Sequence, residues 1–337
     1  MHDHPERLAF IMGLGRSGTT FLAKLIDSSP DVLYRHEPDA ILPGDMPSLL
    51  SRDDLERHLP AARAYVLAMT RCRRLRATGH LPVFRKAYRS GLANLAFQPM
   101  VLSTKFARSL RLPLPDSMPD LVARDRDVVY LIKSVRSLGR ARLFADAFPA
   151  MASIHILRHP CAVCASTQVG IDKGVMSSNV FLPSLFAQKE AADYPFSLED
   201  MQNATFEEQI AFRWMLLNDK AAADMEGAPG YLQIRYEDLC TDLEHMSRVV
   251  FDHLGLALGE QTKRFIHDIS RPVTSETSSG GYFKINRPVT SAVDKWKTQL
   301  EPNCVARIRD VVSHSPLGRA YFDERPAALA REQTGAA

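Results

Sequence analysis

Two short stretches of this chain carry groups suited to gripping an anion. The first is Gly13-Leu14-Gly15-Arg16-Ser17-Gly18-Thr19-Thr20. Its glycines stand at the G-x-x-x-x-G spacing of a phosphate-binding loop, in which backbone N–H groups and the next helix's N-terminus surround phosphate oxygens. Thr19 holds the position where triphosphate-binding loops place the lysine that reaches the β- and γ-phosphates. What remains is a backbone cradle, the hydroxyls of Ser17, Thr19 and Thr20, and an earlier cation, Arg16. That set suits a nucleotide with a short phosphoryl tail better than ATP, with Arg16 at the bridge between a 5′-phosphate and the group it carries. A structural turn is the plain alternative. The second stretch is ILRHPCAVCAS, residues 156–166, where Arg158 closes an apolar run and Ser166 lies about two helical turns on. A guanidinium and a hydroxyl so placed can clamp a second phosphate. Alone, such an arginine is more often an ion-pair partner at a strand end, and it is the two anion sites on adjacent strand ends that favour the clamp.

These groups need a scaffold, and the hydrophobic pattern supplies one. Apolar runs at 7–12, 32–37, 128–133, 153–158 and 231–236 predict strands. Helical patterns follow at about 19–29, 137–148, 160–169, 203–224 and 238–254. Strands alternating with helices predict an α/β fold: a P-loop-type three-layer α/β/α arrangement around a parallel sheet of about five strands. Ligands of such sheets sit at the carboxyl ends of the strands. There the sequence places the loop at 13–20, Glu37, Lys133, Arg158 and Tyr236.

Composition narrows the class. With 337 residues, 45% apolar, 24% charged and a net charge of +3, the chain reads as globular, without the charge excess of a nucleic-acid binder. The charge is unevenly spread. From Arg57 to Arg111 there is no Asp or Glu, yet there are 12 Lys and Arg residues interleaved with apolar ones. This predicts a basic helical insertion over 57–111, one or two amphipathic helices that meet a lipid surface, an acidic carrier protein or an acidic substrate. A solvated basic cap is the alternative. Five cysteines, an odd number, suggest a reducing compartment over a disulfide framework. Cys161 and Cys164 read as small apolar residues of a helix, not as half of a zinc site. No signal-peptide pattern or membrane-length apolar run is evident, which predicts a cytoplasmic protein. A single domain over 1–325 and a frayed tail over 326–337 complete the organisation.

GRSGTTFL, ILRHPCAVCAS, IRYEDL and a late KW pair together resemble the 3′-phosphoadenosine 5′-phosphosulfate (PAPS)-dependent sulfotransferase superfamily. The likeness is to its Golgi-type tyrosylprotein and carbohydrate enzymes more than to its cytosolic phenol and steroid enzymes. It covers roughly residues 7–42, 128–170, 228–256 and 275–300. The resemblance implies that Arg16, Ser17, Gly18, Thr19 and Thr20 bind the 5′-phosphosulfate, that Arg158 and Ser166 bind the 3′-phosphate, and that Tyr236 lines the same site. It further implies that the loop 275–297 closes over the nucleotide, with Arg287 and Lys295 as phosphate contacts. The cytosolic enzymes carry a base two residues after a lysine on the third strand, where this chain has Val135 after Lys133.

The base must then come from elsewhere. HEP resembles the tyrosylprotein-type segment that carries a glutamate base, which points to Glu37; an ion pair with an arginine of the basic segment is its alternative role. Strand alternation would turn the adjacent His36 to the opposite face. Lys133 and Arg16 would stabilise developing charge. The expected reaction moves a sulfuryl group from PAPS to a hydroxyl of a lipid, a carrier-bound metabolite, a glycan or a tyrosine. It leaves 3′,5′-adenosine bisphosphate and needs no metal. A homodimer is compatible with this reading, and nucleic acid is not an expected partner. A P-loop kinase or NTPase using ATP, or a non-catalytic nucleotide-binding module, is the rival.

Overall fold

The computed structural model describes residues 7–112, 116–123, 128–270 and 293–322. Five strands, β1 (Arg7–Met12), β2 (Val32–His36), β3 (Val129–Ser134), β4 (Ala152–Leu157) and β5 (Tyr231–Arg235), form one sheet in the order β2-β3-β1-β4-β5. Every pairing is parallel. The helices are α1 (Thr19–Asp27), α2 (Leu55–Arg71), α3 (Leu75–Thr78), α4 (Gly91–Ser109), α5 (Ala141–Ala147), α6 (Pro160–Asp172), α7 (Leu182–Phe186), α8 (Leu198–Asn203), α9 (Phe206–Met225), α10 (Tyr236–Thr241), α11 (Leu243–His253), α12 (Glu260–Ser270), α13 (Pro302–Val312) and α14 (Pro316–Phe322).

Side-chain alternation along β1 explains the three layers. Leu8, Phe10 and Met12 join a cluster with Val66 of α2, Phe144 of α5 and Trp214 of α9. Ala9 and Ile11 join a second cluster with Leu22 of α1 and Phe251 of α11. Both faces are covered, so the strand reads as a continuous apolar run. Each fully buried Leu, Ile or Phe contributes about 1.5–3 kcal/mol relative to exposure. The chain leaves β1 first toward β3 and β2 and later toward β4 and β5, so β1 lies at the switch point where such sheets open a crevice.

Two element boundaries differ from the hydrophobic pattern. The single helix expected over 238–254 is two, because Asp242 leaves helical geometry and its carboxylate caps α11 by accepting from the His245 N–H at 3.0 Å. The helix expected from 203 starts at Phe206, where Thr205 and Glu208 form a capping box.

The basic segment is less of an appendage than its composition implies. α2 turns Ala62, Tyr65, Val66 and Met69 into the main core, so it belongs to one helical layer. Its cations are largely partnered by acids from outside the segment. Lys86 Nζ donates to Asp27 Oδ1 at 2.7 Å, and Lys24 of α1 pairs with the same carboxylate. Arg73 meets Asp120 at 3.2 Å, together with Arg35 of β2 at 2.7 Å. Arg74 and Arg108 share Asp116. Cys161 and Cys164 are buried in α6, with both thiols pushed up to about 12 by burial.

Candidate active site

The loop between β1 and α1 takes its shape from two residues in left-handed geometry, Arg16 (φ 76°) and Gly18 (φ 89°). Gly18 has no substitute: a Cβ there would lie 2.2 Å from Cδ2 of Tyr236. The turn closes through Ser17 N–H donating to Leu14 O at 3.1 Å. Gly18 is the N-cap of α1 and supplies no side-chain hydrogen bond, and the first turn of α1 has no acidic residue. The first N–H groups of α1 and its positive dipole end therefore face the crevice, the arrangement that accepts an anion. The Ser17 hydroxyl is fully buried and has no hydrogen-bond partner among the described residues. A buried hydroxyl left in this way beside a backbone cradle fits a phosphate or sulfate oxygen.

Next to the loop, β4 ends just before Arg158. Its guanidinium donates to Arg16 O at 2.9 Å and lies 4.5 Å from the Tyr236 ring centroid. Arg16 Nε donates to Ser166 Oγ at 2.9 Å. The sequence assigned Arg16 to one anion site and Arg158 with Ser166 to another; the fold links all three into one cluster, closed below by Tyr236. Second contacts hold this cluster. Trp214 Nε1 donates to Arg158 O at 2.9 Å, and His159 N donates to Glu237 Oε1 at 2.9 Å. His159 stacks on Trp296 at 4.4 Å, and burial pushes its pKa down to about 3. Lys295, beside Trp296, is exposed at this end of α6, while Arg287 lies outside the described residues.

On the other side of β1, β3 lies between the loop strand and β2, the strand that Glu37 follows, and Lys133 stands on β3. Lys133 Nζ is ion-paired with Glu37 Oε1, and Arg76 approaches Glu37 Oε2 at 3.8 Å. The ion pair weighed for Glu37 is thus present, with Arg76 of the basic segment as well as Lys133, and the paired carboxylate also lines a cavity. Burial pulls the Lys133 pKa down, opposed mainly by Glu37.

The cavity is about 670 Å³ and is lined by Thr20, His36, Glu37, Arg76, His80, Lys105 and Arg108, among others. His36 therefore does not face away from Glu37. Alternation fails because Glu37 leaves the strand in left-handed geometry (φ 44°, ψ 53°), which swings its side chain to the side His36 already occupies. His36 Nδ1 is 2.7 Å from Tyr34 Oη, and its ring stacks on His80 at 4.1 Å. Burial, then the neighbouring His80 and Lys133, push the His36 pKa down, which keeps the ring neutral. Burial likewise lowers His80 to about 4. Sequence reasoning singled out Arg76, Lys105 and Arg108 only as part of a basic run and did not place His80 at all.

A family model described as "Sulfotransferase family" matches residues 9–260. The chain belongs to the sulfotransferase family. Carbohydrate sulfotransferase 2 of Homo sapiens and of Mus musculus are each 24% identical to this sulfotransferase over 346 residues. Those alignments cover 88% of this chain and 61% of theirs, so the chain spans about three-fifths of the relatives it matches. Among solved structures, the sulfotransferase domain of the Synechococcus PCC 7002 olefin synthase aligns with a TM-score of 0.43 at 17% identity, covering 92% of this chain and 95% of that one. Mouse sulfotransferase SULT7A1 complexed with PAP aligns at 0.41 and 12%, covering 96% and 90%.

Proposed function

We propose that this sulfotransferase takes its sulfuryl group from PAPS at the loop 13–20 and delivers it to an acceptor hydroxyl in the cavity beside Glu37. The observation that carries the reading is the continuity of the two sites: Thr20 belongs to the anion-binding loop and also lines the cavity that holds Glu37.

The α1 N-terminus and the hydroxyls of Ser17, Thr19 and Thr20 would hold the 5′ end of the nucleotide, and Arg158, Arg16 and Ser166 its 3′-phosphate. Gly18 and Tyr236 would form the floor of that site. When bound, PAPS supplies an activated sulfuryl group whose leaving group is a bisphosphate. Glu37 takes the proton from the acceptor hydroxyl, and its ion pairs with Lys133 and Arg76 hold it at the cavity wall. Lys133 on β3 and Arg16 within the loop would offset negative charge that builds up as the sulfur–oxygen bond breaks.

The cavity also bears on the acceptor. Arg76, Lys105 and Arg108 line it with positive charge, and Ile41 and Leu75 add apolar surface. An acceptor carrying its own acidic group beside the reacting hydroxyl, on an amphiphilic body, matches that lining. For the donor site, thermal unfolding with 3′,5′-adenosine bisphosphate in the absence of Mg²⁺ is the decisive measurement. Stabilisation is expected; stabilisation by Mg-ATP alone would replace the reading with a kinase or NTPase.

A further inference from the structure

A surface helix normally turns charged side chains to water. α4 does not. Its exposed side carries Leu92, Leu95, Pro99, Leu102, Phe106 and, just past its end, Leu110, spaced by three and four residues. Leu92 is 80% exposed, Leu95 74% and Phe106 67%. Of the other exposed positions between them, Ala96, Gln98, Ser103 and Ser109 are uncharged, and Arg108, near the helix end, carries charge. Packing does not require this stripe, because α4 already buries Phe97 and Val101 on its other side against Leu75 and Met118.

The stripe ends in a cationic collar. Lys105 and Arg108 lie in the last turns of α4, Arg111 follows exposed, and Arg74 and Arg76 border the same end. Against these five cations the described structure sets Asp116, shared by Arg74 and Arg108, and the Glu37 carboxylate near Arg76. An apolar strip about 21 Å long from Leu92 to Phe106, given the 1.5 Å rise per helical residue, with excess positive charge at one end is the pattern of an interfacial helix.

We propose that this face of α4 docks on an anionic lipid surface. The Leu92–Phe106 stripe enters the boundary between headgroups and acyl chains, and Arg74, Arg108 and Arg111 meet headgroup phosphates. The cationic collar selects this occupant over a second copy of the chain, since an anionic surface complements it whereas the same face of a copy carries no excess of negative charge. Lys105 and Arg108 line the cavity from the inner side of α4, so a docked chain holds the cavity about one helix diameter, roughly 10 Å, from the lipid surface. Resting on the proposed acceptor site, this makes the acceptor a hydroxyl of an anionic, membrane-resident amphiphile.

Flotation of the full chain with vesicles of phosphatidylcholine alone or mixed with phosphatidylglycerol tests the docking. Binding is expected only to the mixed vesicles, weakening with salt, and the double substitution Leu95→Asp/Phe106→Asp is expected to reduce it by at least about tenfold. Both positions are exposed, so the melting temperature should stay unchanged. No binding to anionic vesicles, or equal binding by the double variant, overturns the proposal. So does concentration-dependent dimerisation that the same substitutions abolish while vesicles are ignored. Calorimetric binding of 3′,5′-adenosine bisphosphate should be the same in both proteins. Its absence from the unsubstituted chain, with vesicle binding intact, would strike the donor-site reading and leave the docking in place.

Discussion

At the end of β1, the groups placed to meet an anion are backbone N–H groups and hydroxyls within eight consecutive residues, 13–20. At the ends of β2 and β3 they are long side chains from distant segments: Glu37, Arg76, Arg108 and Lys133. The donor side is rigid because its geometry is backbone geometry, fixed by Gly18 against Tyr236 and by the helix that follows. The acceptor side is held by ion pairs, each of which can open toward a substrate. In the proposed function, the nucleotide would be held by backbone geometry and the acceptor chosen by side chains.

The contrast can be broken most directly at Glu37. Replacing Glu37 by Gln keeps its size and removes its basicity, so turnover should fall by about 10²- to 10⁴-fold while bisphosphate affinity is retained. A fully active variant, measured by transfer of labelled sulfate, would move the base elsewhere, with His36 next in reach at 3.9 Å from Glu37 Oε1.

A second test removes the ion pair that fastens the basic segment to α1. Asp27 is fully enclosed between Lys24 and Lys86, and Asp27→Ala would leave two buried ammonium groups without their carboxylate. Stability measured by urea unfolding should drop by about 3–5 kcal/mol. Burial already pulls the Lys86 pKa down to about 8 despite Asp27, so in the variant both lysines should shift further toward the neutral form.

Arg158→Ala should act on the donor side alone. Loss of a charge-assisted contact of about 1.5–3 kcal/mol predicts roughly 10- to 100-fold weaker bisphosphate binding by calorimetry. Acceptor KM should be unchanged; an equal loss on both sides would mean that the two halves are not separable.

The smallest effect is on pH dependence. His155 donates or accepts across β4 and α9 through Tyr231 Oη (3.0 Å) and Asn218 Oδ1 (3.1 Å), and burial lowers its pKa to about 4. The unfolded chain therefore binds the proton first, and stability present above about pH 6.5 is lost as pH falls from there toward 4. At most the loss is on the order of 3 kcal/mol for this residue. His80 on the acceptor side, also lowered to about 4, acts in the same direction. Melting temperatures that stay level between pH 7 and 4.5 would contradict both.

The sequence alone located the five strands to within a residue or so, because buried parallel strands are continuous apolar runs with sharp ends. It also located the anion loop, because a backbone cradle is local and its signature contiguous. The pairing of Arg16 with Ser166, 150 positions away, has no such trace. Nor does the closure of Gly18 against Tyr236, although both residues were singled out. Only tertiary structure decided that β3 inserts Lys133 between the loop and Glu37, and that His36 and Glu37 share a cavity. It also converted a uniform basic run into three populations: buried partners such as Lys86, cavity cations such as Arg76 and Lys105, and a collar beside the apolar face of α4. The physical reason is common to all of these. Backbone geometry follows from neighbours in sequence, whereas the partner and exposure of a long charged side chain depend on what the fold carries across to meet it.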